Sequence, residues 1–210
     1  GIAGLVGAGR TELVRAIFGA DRATGGQVQL RGKVGLVSQP TSAISAGVGM
    51  VPEDRKAHGL LIDLPILQNI SLVRMASERG FWLHRRRERA LMAEMRDQMQ
   101  IRAADPMKPA GSLSGGNQQK IVLAKWLAIN PELLILDEPT RGIDVGTKYE
   151  IYKLIDAFVA SGRSVLLVSS ELPEILALSD RIMVMRDGAL VGELAHEQAA
   201  HAEVLDLEDA

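Results

Sequence analysis

Short apolar runs alternate with amphipathic segments along most of the chain. The runs that predict strands are Ile2–Val6, Gln27–Leu30, Val48–Val51, Leu133–Leu136, Val165–Val168 and Arg181–Met185. Asp187-Gly188 predicts a hairpin turn into Ala189–Val191, and Thr11–Phe18 predicts a helix that Gly19 terminates. Strands that alternate with helices in this way predict an α/β fold with a mainly parallel sheet.

The middle of the chain has a different pattern. Residues 64–128 carry apolar side chains at helical spacing and no strong strand signal, so we predict a helical subdomain inserted into the α/β core. Within it, Phe81–Gln100 predicts one amphipathic helix. We assign Met92, Met95 and Met99 to the core, because methionines at helical spacing are typical of packed interiors.

Composition narrows the possible functions. The chain has 210 residues, of which 47% are hydrophobic and 24% charged, which is typical of a globular protein. Its formal net charge of −2 and its 3% aromatic residues argue against a nucleic-acid binder. The absence of cysteine excludes disulfides and thiolate zinc sites, and no run of apolar residues is long enough for a transmembrane helix.

A glycine-rich segment follows the first predicted strand. Residues 4–11 fit the pattern G-x-x-x-x-G-K-[ST] at every fixed position except the lysine, where the chain has Arg10. Such glycines let the backbone direct N–H groups at phosphate oxygens at the start of a helix, and the Thr11 hydroxyl suits Mg²⁺. Taken alone, the segment is also compatible with an ordinary strand-to-helix turn.

Two acids, Asp137 and Glu138, end the apolar run Leu133–Leu136. The carboxyl ends of buried parallel strands are where α/β sheets bind ligands. Asp137 is placed to hold Mg²⁺ and Glu138 to act as the general base that polarises an attacking water. The alternative is a polar strand end in solvent.

A second potential anion site begins at Ser114, which is followed by Gly115 and Gly116. Ser114 is a favourable N-cap, and the glycines allow an anion to approach the helix start closely. One nucleotide has no need of two such helix starts from one chain. If two such domains face each other, each helix start can serve the nucleotide held by its partner.

Together these segments resemble the ATP-binding domains of ABC transporters: Gly4–Thr11 resembles Walker A, Leu113–Gln118 the signature motif, Leu133–Glu138 Walker B and Arg141–Asp144 the D-loop. The segments at residues 4–12, 52–56, 115–120 and 139–146 together resemble one subgroup, the second, C-terminal nucleotide-binding domain of bacterial monosaccharide importers of the ribose, galactose and xylose type. The resemblance covers nearly the whole chain and implies an ABC-type P-loop NTPase fold. We expect one domain over residues 1–210 that lacks its first strands.

The resemblance also implies roles for individual residues. It places the chain's own nucleotide at Gly4, Gly7, Ala8, Gly9, Arg10, Thr11, Glu12, Glu53 and Ser170. It also implies that Thr11 and Asp137 hold Mg²⁺, that Glu138 is the catalytic residue and that Asp144 is the acid of the D-loop. The residues implied to contact the partner's nucleotide are Ser114, Gly115, Gly116, Asn117 and Gln118.

The same resemblance implies ATP and Mg²⁺ as cofactors, and an ATP-hydrolysing transport function. The implied partners are a second ABC domain on the same polypeptide, a membrane permease and, indirectly, a periplasmic sugar-binding protein, with no nucleic acid. The implied location is peripheral, on the cytoplasmic face of the bacterial inner membrane.

Three positions depart from the pattern of an ATP-hydrolysing domain. Arg10 stands at the Walker A lysine, Glu53 at the Q-loop glutamine and Ser170 at the switch histidine, where Ser170 is alternatively an N-cap. The signature residues, which serve a partner, are intact. We therefore expect an asymmetric pair in which this chain completes its partner's ATP site. The alternatives are a catalytically silent ABC module and a soluble ABC ATPase without a transport role.

Overall fold

The computed structural model describes residues 1–30, 33–35, 39–77, 85–199 and 204. The strands are β1 (Ile2–Ala3), β2 (Val28–Leu30), β3 (Lys33–Gly35), β4 (Val48–Val51), β5 (Leu133–Asp137), β6 (Ser164–Val168), β7 (Arg181–Arg186) and β8 (Ala189–Ala195). The α-helices are α1 (Arg10–Phe18), α2 (Pro40–Ser45), α3 (Ile66–Ser77), α4 (Arg85–Gln98), α5 (Gly115–Leu127), α6 (Val145–Ala160) and α7 (Leu172–Leu178). Arg55–Gly59 forms a π-helical turn.

Six strands form the main sheet in the order β4-β5-β6-β1-β7-β8. All neighbouring pairs are parallel except β7 and β8, which form the predicted hairpin. The β5 side chains Leu134, Ile135 and Leu136 are buried, as an unbroken apolar run in a parallel sheet requires. The predicted α/β fold with a mainly parallel sheet is confirmed.

Some local predictions differ from the structure. β1 ends at Ala3 rather than Val6, because Gly4 turns the chain at a φ of 151°. Only glycine fits there, since a Cβ on Gly4 would lie 2.4 Å from the Met185 carbonyl oxygen. Strand β3 was not predicted, and it pairs with β2 in a separate two-stranded sheet.

Helices dominate the chain between β4 and β5. In the described parts of residues 64–128, no strand occurs beyond an isolated bridge between Pro65 and Pro109. Met92, Met95 and Met99 are buried, which confirms their assignment to the core. The first residues of the predicted helix Phe81–Gln100, up to residue 84, lie outside the described residues, and α4 ends at Gln98.

Helix α5 joins the helical segment to the sheet, because it packs against both α3 and β4. Lys120 and Lys125 on this helix are buried, and Lys120 pairs with Glu150 of α6 while Lys125 donates to the Gly59 carbonyl oxygen. The boundaries of the inserted subdomain stay a prediction. Within the described part of the chain, every helix is too short or too polar to cross a bilayer.

Candidate functional site

The glycine-rich loop lies between β1 and α1, beside the carboxyl ends of β5 and β6. Gly9 is the N-cap of α1 with a φ of 90°, and no side chain caps the helix. Gly7 also has a φ of 90°, and Ala8 is buried beneath the loop. The first amides of α1 therefore have no side-chain cap, and the positive end of the helix is suited to binding an anion. Glu12 is exposed in the first helical turn.

Thr11 and Asp137 meet at the base of this loop. The Thr11 hydroxyl donates to Asp137 Oδ1 at 3.2 Å. Asp137 is 1% exposed, and its Oδ2 has no hydrogen-bond partner. Burial raises the pKa of Asp137 to about 6, against the opposing effect of the Thr11 hydrogen bond.

This pair of oxygens fits a hard divalent cation. Mg²⁺ prefers hydroxyl and carboxylate oxygens and retains water on its other sides. The unpaired Asp137 Oδ2 leaves one buried acceptor for such an ion or its water. The described residues contain no cluster of three or more histidine, cysteine or carboxylate ligands that would indicate an all-protein metal cage.

Arg10 points into the protein and is only 7% exposed. Its Nη1 donates to the Ser169 carbonyl oxygen at 2.6 Å, and its Nη2 lies 3.5 Å from Glu138 Oε1. The guanidinium thus bridges the residues that follow β5 and β6. A longer, planar side chain replaces the usual lysine, and in this conformation it binds protein acceptors.

Glu138 is engaged on both carboxylate oxygens. Besides the Arg10 contact at Oε1, its Oε2 accepts a hydrogen bond from Ser170 Oγ at 3.1 Å. Burial raises the pKa of Glu138, while the Ser170 hydrogen bond and the Arg10 charge oppose that rise. The backbone at Glu138 has a φ of 48°, a left-handed conformation that is uncommon for residues with a side chain.

The prediction that Ser170 caps the following helix is wrong. Helix α7 begins at Leu172, and its N-cap residue is Glu171, whose side chain makes no cap hydrogen bond. Instead Ser169 Oγ accepts the hydrogen bond from the Glu171 amide at 3.0 Å. The helix begins one residue later than a cap at Ser170 would require, and the Ser170 hydroxyl donates to Glu138 instead.

Glu53 and Asp144 lie near the site but are already paired. Glu53 forms an ion pair with Arg141, in the loop that follows Glu138. Asp144 is the N-cap of α6, where its carboxylate accepts from the Thr147 amide at 3.0 Å and the Thr147 hydroxyl at 2.8 Å. These hydrogen bonds lower the pKa of Asp144, so its charge stabilises the helix start.

The segment predicted to serve a partner is partly exposed. Ser114 occupies the N-cap position of α5 as predicted, but it makes no cap hydrogen bond, and its Oγ accepts from Asn117 Nδ2 at 3.0 Å. Gly116 packs so closely on α6 that an added Cβ would lie 2.7 Å from Thr147 Oγ1. Gln118 is buried and donates to the Leu113 carbonyl at 3.0 Å, so it holds the loop in place from inside.

A buried polar group that sequence analysis missed supports the loop after Glu138. The Thr140 hydroxyl donates to Glu174 Oε1 at 2.9 Å, and both residues are almost fully buried. Burial, followed by the nearby Glu174 charge, raises the pKa of Tyr152 to about 12. In sequence, Glu174 resembles an ordinary acid in a first helical turn, and nothing in the pattern signals its burial.

Comparison with known proteins identifies the family. The family model described as ABC transporter matches residues 1–141. The chain belongs to the ABC transporter family. This confirms the resemblance, and with it the ABC-type ATPase fold and ATPase family predicted from the loop, the acidic strand end and the serine–glycine helix start.

The curated relatives are import ATP-binding proteins. One is ribose import ATP-binding protein RbsA 1 of Streptomyces avermitilis, 49% identical over 99% of this chain and 40% of its own length. A second is ribose import ATP-binding protein RbsA of Halalkalibacterium halodurans, 46% identical over 98% of the chain and 41% of its own length. The chain thus spans about two fifths of the length of these relatives.

Solved structures of ATP-binding cassettes share the fold of this ABC domain. A dimeric post-hydrolysis state of MJ0796 bound to ADP and Pi has a TM-score of 0.79, at 22% identity over 93% of this chain and 84% of its own. MJ1267 in its ADP conformation also has a TM-score of 0.79, at 20% identity, and covers 100% of this chain and 86% of its own.

Proposed function

We propose that this chain is the second, degenerate ATP-binding domain of a monosaccharide importer of the ribose type, and that it completes the ATP site of a partner ABC domain. The names of its relatives support the transport role, since each of those proteins is called an import ATP-binding protein. Their greater length leaves room for a further domain on one polypeptide. That role implies a periplasmic sugar-binding protein as an indirect partner. It also implies a peripheral location on the cytoplasmic face of the bacterial inner membrane.

The observation that carries the asymmetry is the engagement of Glu138 by Arg10 and Ser170. A general base must accept a proton from a water within hydrogen-bond reach, and a cation or a hydroxyl donor at its carboxylate lowers its affinity for that proton. Here Oε1 faces the Arg10 cation and Oε2 accepts from Ser170. Ser114, in contrast, is exposed at the start of α5. We infer that the chain's own site hydrolyses ATP weakly. Its main contribution to ATP hydrolysis is the Ser114 segment, which completes the ATP site of the partner domain.

ATP binding still suits the chain's own loop. The uncapped amides at the start of α1 would hold phosphate oxygens of ATP, with Gly4, Gly7 and Gly9 supplying the backbone turns. Thr11 and Asp137 would hold Mg²⁺, which when bound neutralises phosphate charge. Because Arg10 is committed to Ser169 and Glu138, nucleotide binding here depends mainly on backbone amides.

A permease is the partner that best fits one apolar surface patch. Large apolar side chains are exposed in and around the segment that joins the π-helical turn to α3, and they are Leu61, Ile62, Leu64, Leu72, Met75 and Met107. Backbone hydrogen bonds from Gly111 to Ile62 and from Ala110 to Leu64 hold this segment against residues 106–111. Exposed apolar patches rimmed by polar residues are typical of interaction sites.

A comparison of two substitutions tests the asymmetry. In the full-length protein with its permease, Ser114→Arg should abolish ATP turnover, because a bulky cation would block the helix start that faces the partner's ATP. Glu138→Gln should leave turnover within about twofold, a difference of about 0.4 kcal/mol in activation free energy. The matched control is Ser112→Arg, at a nearby exposed serine.

Either of two results would contradict the proposal. A large loss with Glu138→Gln would mean that the Arg10 site hydrolyses ATP as well. An unaffected Ser114→Arg protein would mean that α5 does not serve a partner nucleotide. If this chain does not bind ATP while the full-length protein still hydrolyses ATP, the catalytically silent module is favoured. The Arg10–Glu138 contact also supports that alternative.

A further inference from the structure

Arg55 lies where three functional segments meet. Its Nη1 donates to the Arg141 carbonyl oxygen at 3.1 Å, in the loop after Glu138. Its Nη2 packs against the start of α5, so closely that a Cβ on Gly115 would lie 2.9 Å away. Its Nε is buried without a partner. One guanidinium therefore spans the gap between the π-helical turn, the loop after β5 and the helix start that carries Ser114.

The π-helical turn is fixed to α5 at a second point. Its N-cap Asp54 accepts from the amides of Lys56 at 2.8 Å and Ala57 at 3.0 Å. At its other end, the Gly59 carbonyl accepts a hydrogen bond from the buried Lys125 of α5. With Arg55 at the first turn of the helix and Lys125 near its end, the turn lies along α5.

The ion pair between Glu53 and Arg141 adds a further link two residues before Arg55. Glu53 and Arg55 therefore both contact Arg141. Glu53 pairs with its side chain, and Arg55 donates to its carbonyl oxygen. The segment after β4 is thus fastened to the loop after Glu138 and to the start of α5. A shift of one of these three segments would therefore break or strain its contacts with the other two.

We propose that Arg55 is a positioning residue that holds the start of α5, and with it Ser114, in the orientation required to contact ATP on a partner domain. This inference rests on the proposed function, which gives Ser114 its ligand. Without the guanidinium, the first turn of α5 would lose its contact with Arg55, and the Arg141 carbonyl oxygen would lose its donor. Lys125 would still hold the turn to the helix, so the fold should survive the substitution.

The test is ATP turnover by the full-length protein with its permease, measured across ATP concentrations. Arg55→Ala should raise the KM for ATP about fivefold and leave kcat within about twofold of the parent. The reason is that a displaced Ser114 weakens ATP binding equally in the ground state and in the transition state. Arg55→Lys should lie in between, because lysine can reach the Arg141 carbonyl but lacks the second arm of the fork. Arg87→Ala, on the exposed part of α4, is the matched control.

A double-substitution experiment separates positioning from general destabilisation. If Arg55 acts through the helix start, Ser114→Ala and Arg55→Ala should be non-additive in KM. Additive effects, or a KM for Arg55→Ala equal to that of the parent, would overturn the inference while leaving the proposed function intact. Failure of the proposed function is seen separately, as full turnover in Ser114→Arg, and it would overturn this inference as well.

Discussion

At the scale of single residues, three buried charged side chains are the positions whose substitution should most affect the stability of this domain. Arg10, Lys125 and Asp137 are each nearly inaccessible to water, and each has a different form of compensation. Arg10 has two acceptors, Lys125 has the Gly59 carbonyl, and Asp137 has one hydroxyl and one unpaired oxygen. Because removal of one partner from a buried pair leaves the other uncompensated, these positions should respond strongly to substitution.

Substitution of Arg10 should show how much the internal pair contributes to stability. Arg10→Met should lower the free energy of unfolding by about 3 kcal/mol, because Glu138 and the Ser169 carbonyl lose their donor. Urea unfolding followed by tryptophan fluorescence would measure it. The double variant Arg10→Met with Glu138→Gln should recover most of the loss, since both charges are then absent. An undiminished loss in the double variant would contradict the explanation.

Lys125 should give stability a distinct pH dependence. Burial lowers its pKa from 10.5 to about 8. Between these two values the unfolded chain holds more protons than the folded one, so the free energy of unfolding should rise with pH. The full rise over this pH range is about 3 kcal/mol.

Urea unfolding at several values between pH 7.5 and 9.5 would measure the Lys125 effect below the range in which tyrosines titrate. The difference between the parent and Lys125→Met isolates this lysine, because methionine keeps the volume but removes the titrating amine. The slope should disappear in Lys125→Met. An equal slope in both proteins would assign the pH dependence to other groups.

At the scale of elements, the contact between α5 and α6 sets the surface on which Ser114 is displayed. Gly116, in the first turn of α5, lies against Thr147, in the first turn of α6. Thr147 is itself held by Asp144, the N-cap of α6. The two helix starts are thus packed without room for another carbon, which fixes the position of the signature segment relative to the loop after β5.

Gly116→Ala should separate these two helix starts. The added Cβ would lie 2.7 Å from Thr147 Oγ1 and 2.8 Å from its Cγ2. Overpacking of this kind costs about 1–3 kcal/mol in unfolding free energy, measurable by urea titration. Gly25→Ala is the control, since open space surrounds that glycine. Adding Thr147→Ala to Gly116→Ala should restore part of the loss, and no restoration would contradict the steric explanation.

At the scale of the whole molecule, the sheet brings distant segments to one edge. Parallel strands β1, β5 and β6 end side by side, so the glycine-rich loop, Glu138 and Ser170 meet there. The same edge exposes Val6 at 90% and Val145 at 81%, at the tip of the loop and the start of α6. Large apolar side chains beside a nucleotide site are suited to burial by a partner domain.

The apolar patch around Leu61 and Leu72 should be dispensable for folding but required for binding to the permease. In the full-length protein, Leu72→Asp should reduce co-purification with the permease at least about tenfold, about 1.4 kcal/mol, because a buried charge opposes apolar contact. Its melting temperature should match that of the parent. Leu190→Asp, on edge strand β8, is a matched exposed control. Equal co-purification of all three proteins would exclude this patch as the docking surface.

Sequence pattern predicted most of the architecture and the location of each candidate site segment. The Leu133–Leu136 run, the strand Val48–Val51 and the stop at Gly19 are local signals, since each depends on apolar continuity or on a glycine in the left-handed region. The pattern missed β3 and placed the end of β1 too late. Both strands are only two or three residues long, so their limits are set by pairing and by neighbouring turns.

Local periodicity and short motifs were enough to predict the α/β fold, the family and the residue types at the candidate nucleotide site. The inward turn of Arg10 to Glu138, the contact of Ser170 with Glu138 in place of a cap on α7, and the approach of Arg55 to Gly115 became visible in the three-dimensional structure alone. These contacts join residues far apart in the chain. Their geometry is set by strand register and helix packing, which no local pattern encodes.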